Sequence, residues 1–91
     1  MSLESSIDTS IRGHCQDNNW LWIKLWPFVK GFPDRVLLCP GGMVTFVELK
    51  RSPDEKLTYI QEYWCASLER MGFRVLRGVS SWAELEARVS T

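Results

Sequence analysis

The 91-residue chain has one histidine, three cysteines, no net charge and no long apolar run. Each scarcity excludes something. Cys15, Cys39 and Cys65 are widely spaced, form no C-x-x-C pair, and by their odd number leave one thiol out of any disulfide scheme. His14 adjoins Cys15, too close for ordinary zinc-ligand spacing, so no structural zinc is expected. The thiols read as buried or free groups in a reducing cytosol. No stretch approaches the roughly 20 apolar residues of a membrane span. The start of the chain lacks a charged segment leading into an apolar one. The expectation is a cytoplasmic protein without signal peptide or membrane partner. Eleven basic residues balance eleven acidic ones, so global charge gives no support for nucleic-acid binding. Repeats, linkers and low-complexity tracts are also lacking, which leaves residues 1–91 as one domain.

What is present is aromatic surface. Five Trp and four Phe are many for a chain this short. Those left outside the core would need a partner, and a second copy of the chain is the simplest one, so a homodimer is expected. Charge is uneven despite its zero sum. From Lys24 to Arg77 the chain holds nine Lys or Arg against six Asp or Glu. A local positive surface is therefore compatible with a neutral protein.

Periodicity sets out the elements. Leu3, Ile7, Ile11 and Cys15 recur every fourth residue and predict an amphipathic helix ending near Asp17, before an Asp-Asn-Asn turn. Residues 20–26 alternate as a strand that Pro27 would end. Residues 35–39 and 43–50 are β-rich runs on either side of Pro40-Gly41-Gly42, a hairpin signature. Thr58 and Gln61 form a capping-box pair opening a helix with an expected buried stripe of Ile60, Trp64, Leu68 and Met71, stopped at Gly72. A short strand over 73–76 follows. Ser81 and Glu84 read as a second capping box, opening a helix with Trp82, Leu85 and Val89 on its apolar face. The order α-β-β-β-α-β-α, a hairpin followed by a strand–helix–strand crossover, predicts an α/β fold with a mixed sheet flanked by helices.

The hairpin carries the chemistry. Residues 34 and 48 are symmetric about position 41, so pairing across the turn makes Asp34 and Glu48 neighbours. Lys50 lies two residues beyond Glu48 and points to the same face, about 7 Å further along the strand. Two adjacent carboxylates repel each other unless a cation intervenes. Mg²⁺ takes oxygen ligands and commonly binds through only one or two protein carboxylates, leaving room for water and a phosphate. An ion so held polarises a scissile phosphate and acidifies a bound water, and a nearby ammonium can orient that water or stabilise the phosphate charge. Glu-x-Lys at a strand end is also a common solvated pattern, and Asp after Pro is ordinary turn chemistry.

Gly31-Phe32-Pro33-Asp34-Arg35, the Leu37–Gly42 segment, Phe46-Val47-Glu48-Leu49-Lys50, Gln61 followed by Trp64, and Met71–Val75 together resemble the VRR-NUC family of virus-type replication-repair nucleases. These are a branch of the PD-(D/E)-x-K nuclease superfamily, with a restriction-endonuclease-like fold. The likeness runs from Glu4 to about Val89 and is closest to the small stand-alone form of phages and bacteria. It implies a metal-dependent endonuclease acting on structured DNA, similar to Holliday junction resolvases, working as a homodimer in a bacterial or phage-infected cell. Asp34 and Glu48 would hold Mg²⁺ or Mn²⁺ with the Leu49 carbonyl as a third ligand, and Lys50 would be the catalytic lysine. Gln61 matches the family's motif glutamine, with the capping box as its alternative explanation. Glu4 matches an additional acidic position and would be a further metal ligand, where the helix dipole would also favour an acid. Lys24 matches a basic position that could reach the phosphate or simply face solvent. Arg35 could contact DNA or pair with a carboxylate, and Lys30 and Arg51 flank the site as plausible phosphate contacts. No organic cofactor is implied. The alternatives are a structure-selective DNA-binding module with an idle site, or a nuclease on linear, flapped or nicked DNA.

Overall fold

The order of elements in the computed structural model, which describes residues 3–26 and 28–90, is the expected one. Helix α1 spans Leu3–Asn18, and strands β1 (Leu21–Lys24), β2 (Arg35–Cys39) and β3 (Met43–Leu49) follow. Helix α2 (Tyr59–Arg70), strand β4 (Arg74–Val79) and helix α3 (Trp82–Val89) complete the chain. The strands form one sheet in the order β1-β2-β3-β4, antiparallel except for the parallel β3–β4 pair. α2 is thus the crossover of a strand–helix–strand unit, which parallel neighbours require. The first strand is shorter than expected, and its anticipated stop at Pro27 lies outside the described residues.

Each sheet face has its own helices. Ile7 and Ile11 of α1 and Leu85 and Val89 of α3 pack with Trp22, Leu37, Val47 and Leu49 on one face. On the other, Cys65 and Leu68 of α2 cover Val75, with Phe32, Phe46 and Leu57 alongside. α2 is rotated from its expected setting. Its buried residues are Gln61, Cys65 and Leu68, while Met71 is exposed and Ile60 and Trp64 are half-buried. The large residues Ile60 and Trp64 turn instead to the loop before β2. The Trp64 indole N–H donates to the Lys30 carbonyl (3.1 Å) and its ring meets Phe32. A Cβ on Gly31 would come within 2.8 Å of the Ile60 side chain, and Gly31 has φ +83°, so only glycine lets this loop lie on α2.

The sheet is irregular at one place. Val47 pairs with Leu76 and Leu49 with Val79, so three steps on β4 oppose two on β3. The extra residue is absorbed where Gly78 takes φ +64°. The irregularity lies opposite Glu48. The second capping box is only half present: the Ser81 hydroxyl accepts from the Glu84 N–H (3.1 Å), but the Glu84 carboxylate turns to the Ser80 N–H and hydroxyl. All three cysteines are free, and burial pushes the Cys15 and Cys65 thiols up to about 11. No described helix is long and apolar enough to cross a membrane.

Candidate active site

Pairing in the hairpin follows the symmetry about position 41. Arg35 faces Val47 and Cys39 faces Met43, which puts Asp34, one residue before β2, opposite Glu48. Arg35, Leu37 and Val47 point towards α1, so Glu48 points to the α2 side, while Asp34, at the end of the sheet, keeps its side-chain contacts with Arg35 and Arg51. The N-terminus of α2 meets Glu48. Gln61 caps its helix as expected: its side-chain oxygen accepts from the Thr58 N–H (2.8 Å), and the Thr58 hydroxyl accepts from the Gln61 N–H (3.3 Å). Committing Oε1 to the cap leaves Nε2 directed at Glu48, to whose Oε2 it donates (3.2 Å). The cap and the contact with the carboxylate are one arrangement, not alternatives.

Both carboxylates are withdrawn from water, and each keeps one oxygen with nothing to bind. Glu48 is 2% exposed. Asp34 Oδ1 and Glu48 Oε1 are the buried side-chain polar atoms without a hydrogen-bond partner among the described residues. Such atoms are costly, since burial without a partner forfeits their hydration. Burial, and then the neighbouring charge of Asp34, pushes the Glu48 carboxyl up to about 7. Asp34 is raised too: burial drives it, Arg35 opposes it and Glu4 adds to it.

Asp34 is held from behind by a network that the sequence reading missed. Arg35 is buried, so its guanidinium does not reach a DNA surface; it pairs with carboxylates. It contacts Asp34 Oδ2 (3.1 Å), Asp8 Oδ1 (2.9 Å) and, more distantly, Glu4 (3.9 Å). Asp8 also accepts from the Trp22 indole N–H (2.7 Å). Burial works against the Asp8 charge, but the bonds from Trp22 and Arg35 outweigh it and hold its carboxyl below the usual range. Asp8 is four residues after Glu4, so the two acids share one edge of α1. That spacing was the available signal.

The remaining candidates divide. Glu4 reaches the site and bonds Arg51 Nε (3.2 Å), and Arg51 in turn lies 4.0 Å from Asp34 Oδ2. Lys50 follows β3, its N–H donating to the Val79 carbonyl (2.9 Å). Its side chain is half-buried and makes no hydrogen bond or ion pair among the described residues. The Leu49 side chain is in the core, so only its backbone carbonyl could serve a ligand. Lys24, Lys30 and Arg51 lie on the wall of a cavity of about 950 Å³, together with Glu4, Asp34 and Gln61.

These residues fit a hard divalent cation. Among the described residues no three His, Cys, Asp or Glu side chains converge on one point, so Glu4, bonded to Arg51, does not join Asp34 and Glu48 as the expected further ligand, and the carboxylate donors number two. Mg²⁺ or Mn²⁺ needs no more than that when water and phosphate complete its shell. The two orphaned oxygens and the raised Glu48 pKa are the signature of a charge deficit that such an ion would fill.

The helix-flanked mixed sheet, with Asp34 and Glu48 carried by its central hairpin, has the fold of a VRR_NUC domain. A solved structure described as a VRR_NUC domain superposes with a TM-score of 0.83 over 99% of this chain and 97% of its own, at 20% sequence identity. No family model and no curated protein matches the sequence.

Proposed function

We propose that the protein is a divalent-metal-dependent endonuclease acting on branched or flapped DNA. The observation that carries this reading is the pair of buried, orphaned oxygens of Asp34 and Glu48, placed side by side by the hairpin with Lys50 beyond them. Asp34 and Glu48 would hold Mg²⁺ or Mn²⁺ with the Leu49 carbonyl. A bound ion would neutralise charge on the scissile phosphate and lower the pKa of a water. Gln61 holds one oxygen of Glu48, and Arg35 holds one oxygen of Asp34, which leaves the second oxygen of each for an ion. Lys50 has an uncommitted ammonium to offer to the attacking water or to the phosphate. Lys24, Lys30 and Arg51 would contact the DNA backbone, which supplies affinity without sequence preference. A homodimer with two sites on a two-fold axis suits a symmetric four-way junction.

An idle site is the less economical reading. A DNA-binding module gains nothing from two buried carboxylates that repel each other. The test is cleavage of a panel of four-way, flapped, nicked and linear DNA with Mg²⁺, for wild type, Asp34→Ala and Lys50→Ala. Wild type is expected to cut at least one branched substrate and both variants to lose at least about 100-fold, the scale of removing one electrostatic contributor. Undiminished cleavage by both variants would end the assignment.

A further inference from the structure

We propose that Trp26 and Phe28 form a stacking platform for an unpaired nucleobase beside the carboxylates, which makes the substrate DNA with a single-stranded nucleotide at the point of cleavage. The inference rests on the nuclease reading and narrows its substrate.

Trp26 is 74% exposed and Phe28 85%, although both are large apolar rings on a small domain. Their centroids are 6.1 Å apart at an interplanar angle of 51°, so the rings form an open, tilted wall. That wall belongs to the cavity that contains Asp34 and Gln61, and Leu25, Val29 and Ile60 continue its apolar surface. The approach to the carboxylates is short. The Leu25 N–H donates to the Asp34 carbonyl (2.8 Å), and Trp26 is the next residue. With about 5.5 Å between paired Cα atoms and 3.8 Å per residue, the two Cα atoms lie within about 9 Å of each other. A base flanking a phosphate held at Asp34 can therefore reach the ring.

The chemistry of the rim selects the occupant. Lys24 and Lys30 line the same cavity, are exposed, and make no side-chain ion pair among the described residues. Flat aromatic faces flanked by uncommitted ammonium groups match a nucleotide, whose base stacks while its phosphates meet the cations. A second copy of the chain fits less well. A two-fold contact through this patch would bring four lysines together, and the acids nearby, Glu4 and Asp34, are already paired with Arg51 and Arg35. Bases inside a fully paired duplex are stacked on each other and cannot use the wall, so an unpaired nucleotide is the matching substrate feature.

The test compares binding of three probes without divalent ion: a thymidine oligonucleotide, an abasic oligonucleotide of equal length, and a duplex. Wild type is expected to favour the thymidine strand over the abasic one. The Trp26→Ala/Phe28→Ala variant should lose about 5- to 150-fold on the thymidine strand and little on the abasic one. Trp26→Phe, which keeps a ring, should retain most of the affinity. Mn²⁺ affinity by calorimetry should be equal in all three proteins. Equal wild-type affinity for the thymidine and abasic strands overturns the proposal. So does a dimer that the double variant dissociates, since the patch is then a subunit contact. Cleavage of a fully paired junction as fast as a flap, unaffected by the double variant, overturns the substrate inference and leaves the nuclease reading intact. Absence of Mn²⁺ binding and cleavage in wild type removes the nuclease reading, and with it the proposal.

Discussion

Glu48→Gln is expected to stabilise the metal-free protein at pH 8. The structure gives the magnitude. Glu48 is almost completely buried, has one oxygen bonded to Gln61, and has the other bonded to nothing. Its carboxyl rises from 4.5 to about 7, through burial first and the charge of Asp34 second. At 1.36 kcal/mol per pH unit, ionising it in the fold costs about 3 kcal/mol relative to the unfolded chain. The sign follows from the folded state binding its proton more tightly. That contribution to stability is fully present below pH 4.5 and is lost as pH rises through about 7. Gln keeps the shape, accepts the Gln61 bond, and never ionises. In EDTA the variant should melt roughly 10–25 °C above wild type at pH 8, using 4–8 °C per kcal/mol for a domain of this size. The gap should close towards pH 4.5. Adding Mn²⁺ at pH 8 should raise the wild-type melting temperature and leave the variant unmoved, because the ion binds the carboxylate that Gln lacks. A variant that melts below wild type at pH 8, or a difference that does not change with pH, would show that the ionised Glu48 has its compensation elsewhere and would refute the reasoning.

Other perturbations separate the parts of the site. Mn²⁺ affinity of wild type, measured by calorimetry, should climb as pH rises to about 7 and then level off, because the metal competes with the Glu48 proton. Asp8→Ala strips the buried Arg35 of its closest carboxylate and should cost about 3 kcal/mol in urea unfolding, whereas Trp22→Phe removes one neutral donor and should cost about 1 kcal/mol. Gly31→Ala drives a Cβ into Ile60 at a left-handed backbone position and should cost about 1–3 kcal/mol by the same assay. Thr58→Ala should cost about 1 kcal/mol of stability and, by loosening Gln61, weaken Mn²⁺ binding as well.

The neighbouring carboxylates were legible because they depend on counting. A tight turn at Pro40-Gly41-Gly42 fixes the register, and the register fixes which residues meet. The Thr58–Gln61 box was legible for the same reason, being a relation over three residues. The roles that could not be read are those set by tertiary packing. Apolar spacing placed Ile60, Trp64 and Met71 inside, but α2 turned so that Gln61 could be buried against Glu48, and Ile60 and Trp64 went to the loop instead. Arg35 had two open meanings until α1 brought Asp8 to it across 27 positions of sequence. The bulge at Gly78 carries no local sign beyond the glycine itself. Ser81 and Glu84 have the spacing of a box, yet the preceding Ser80 offered Glu84 two bonds where Ser81 offered one.

The hairpin also separates two ends of the same pair of strands. Asp34 and Glu48 occupy one end, while Pro40, Gly41 and Gly42 are exposed at the other, six positions or about 20 Å away. Strand pairing between them is complete, so the tip can be lengthened without moving the carboxylates. An inserted tag, fluorophore loop or whole domain at residues 41–42 would leave the chemistry where it is. The same geometry gives an engineer a handle at the end of the hairpin opposite the carboxylates.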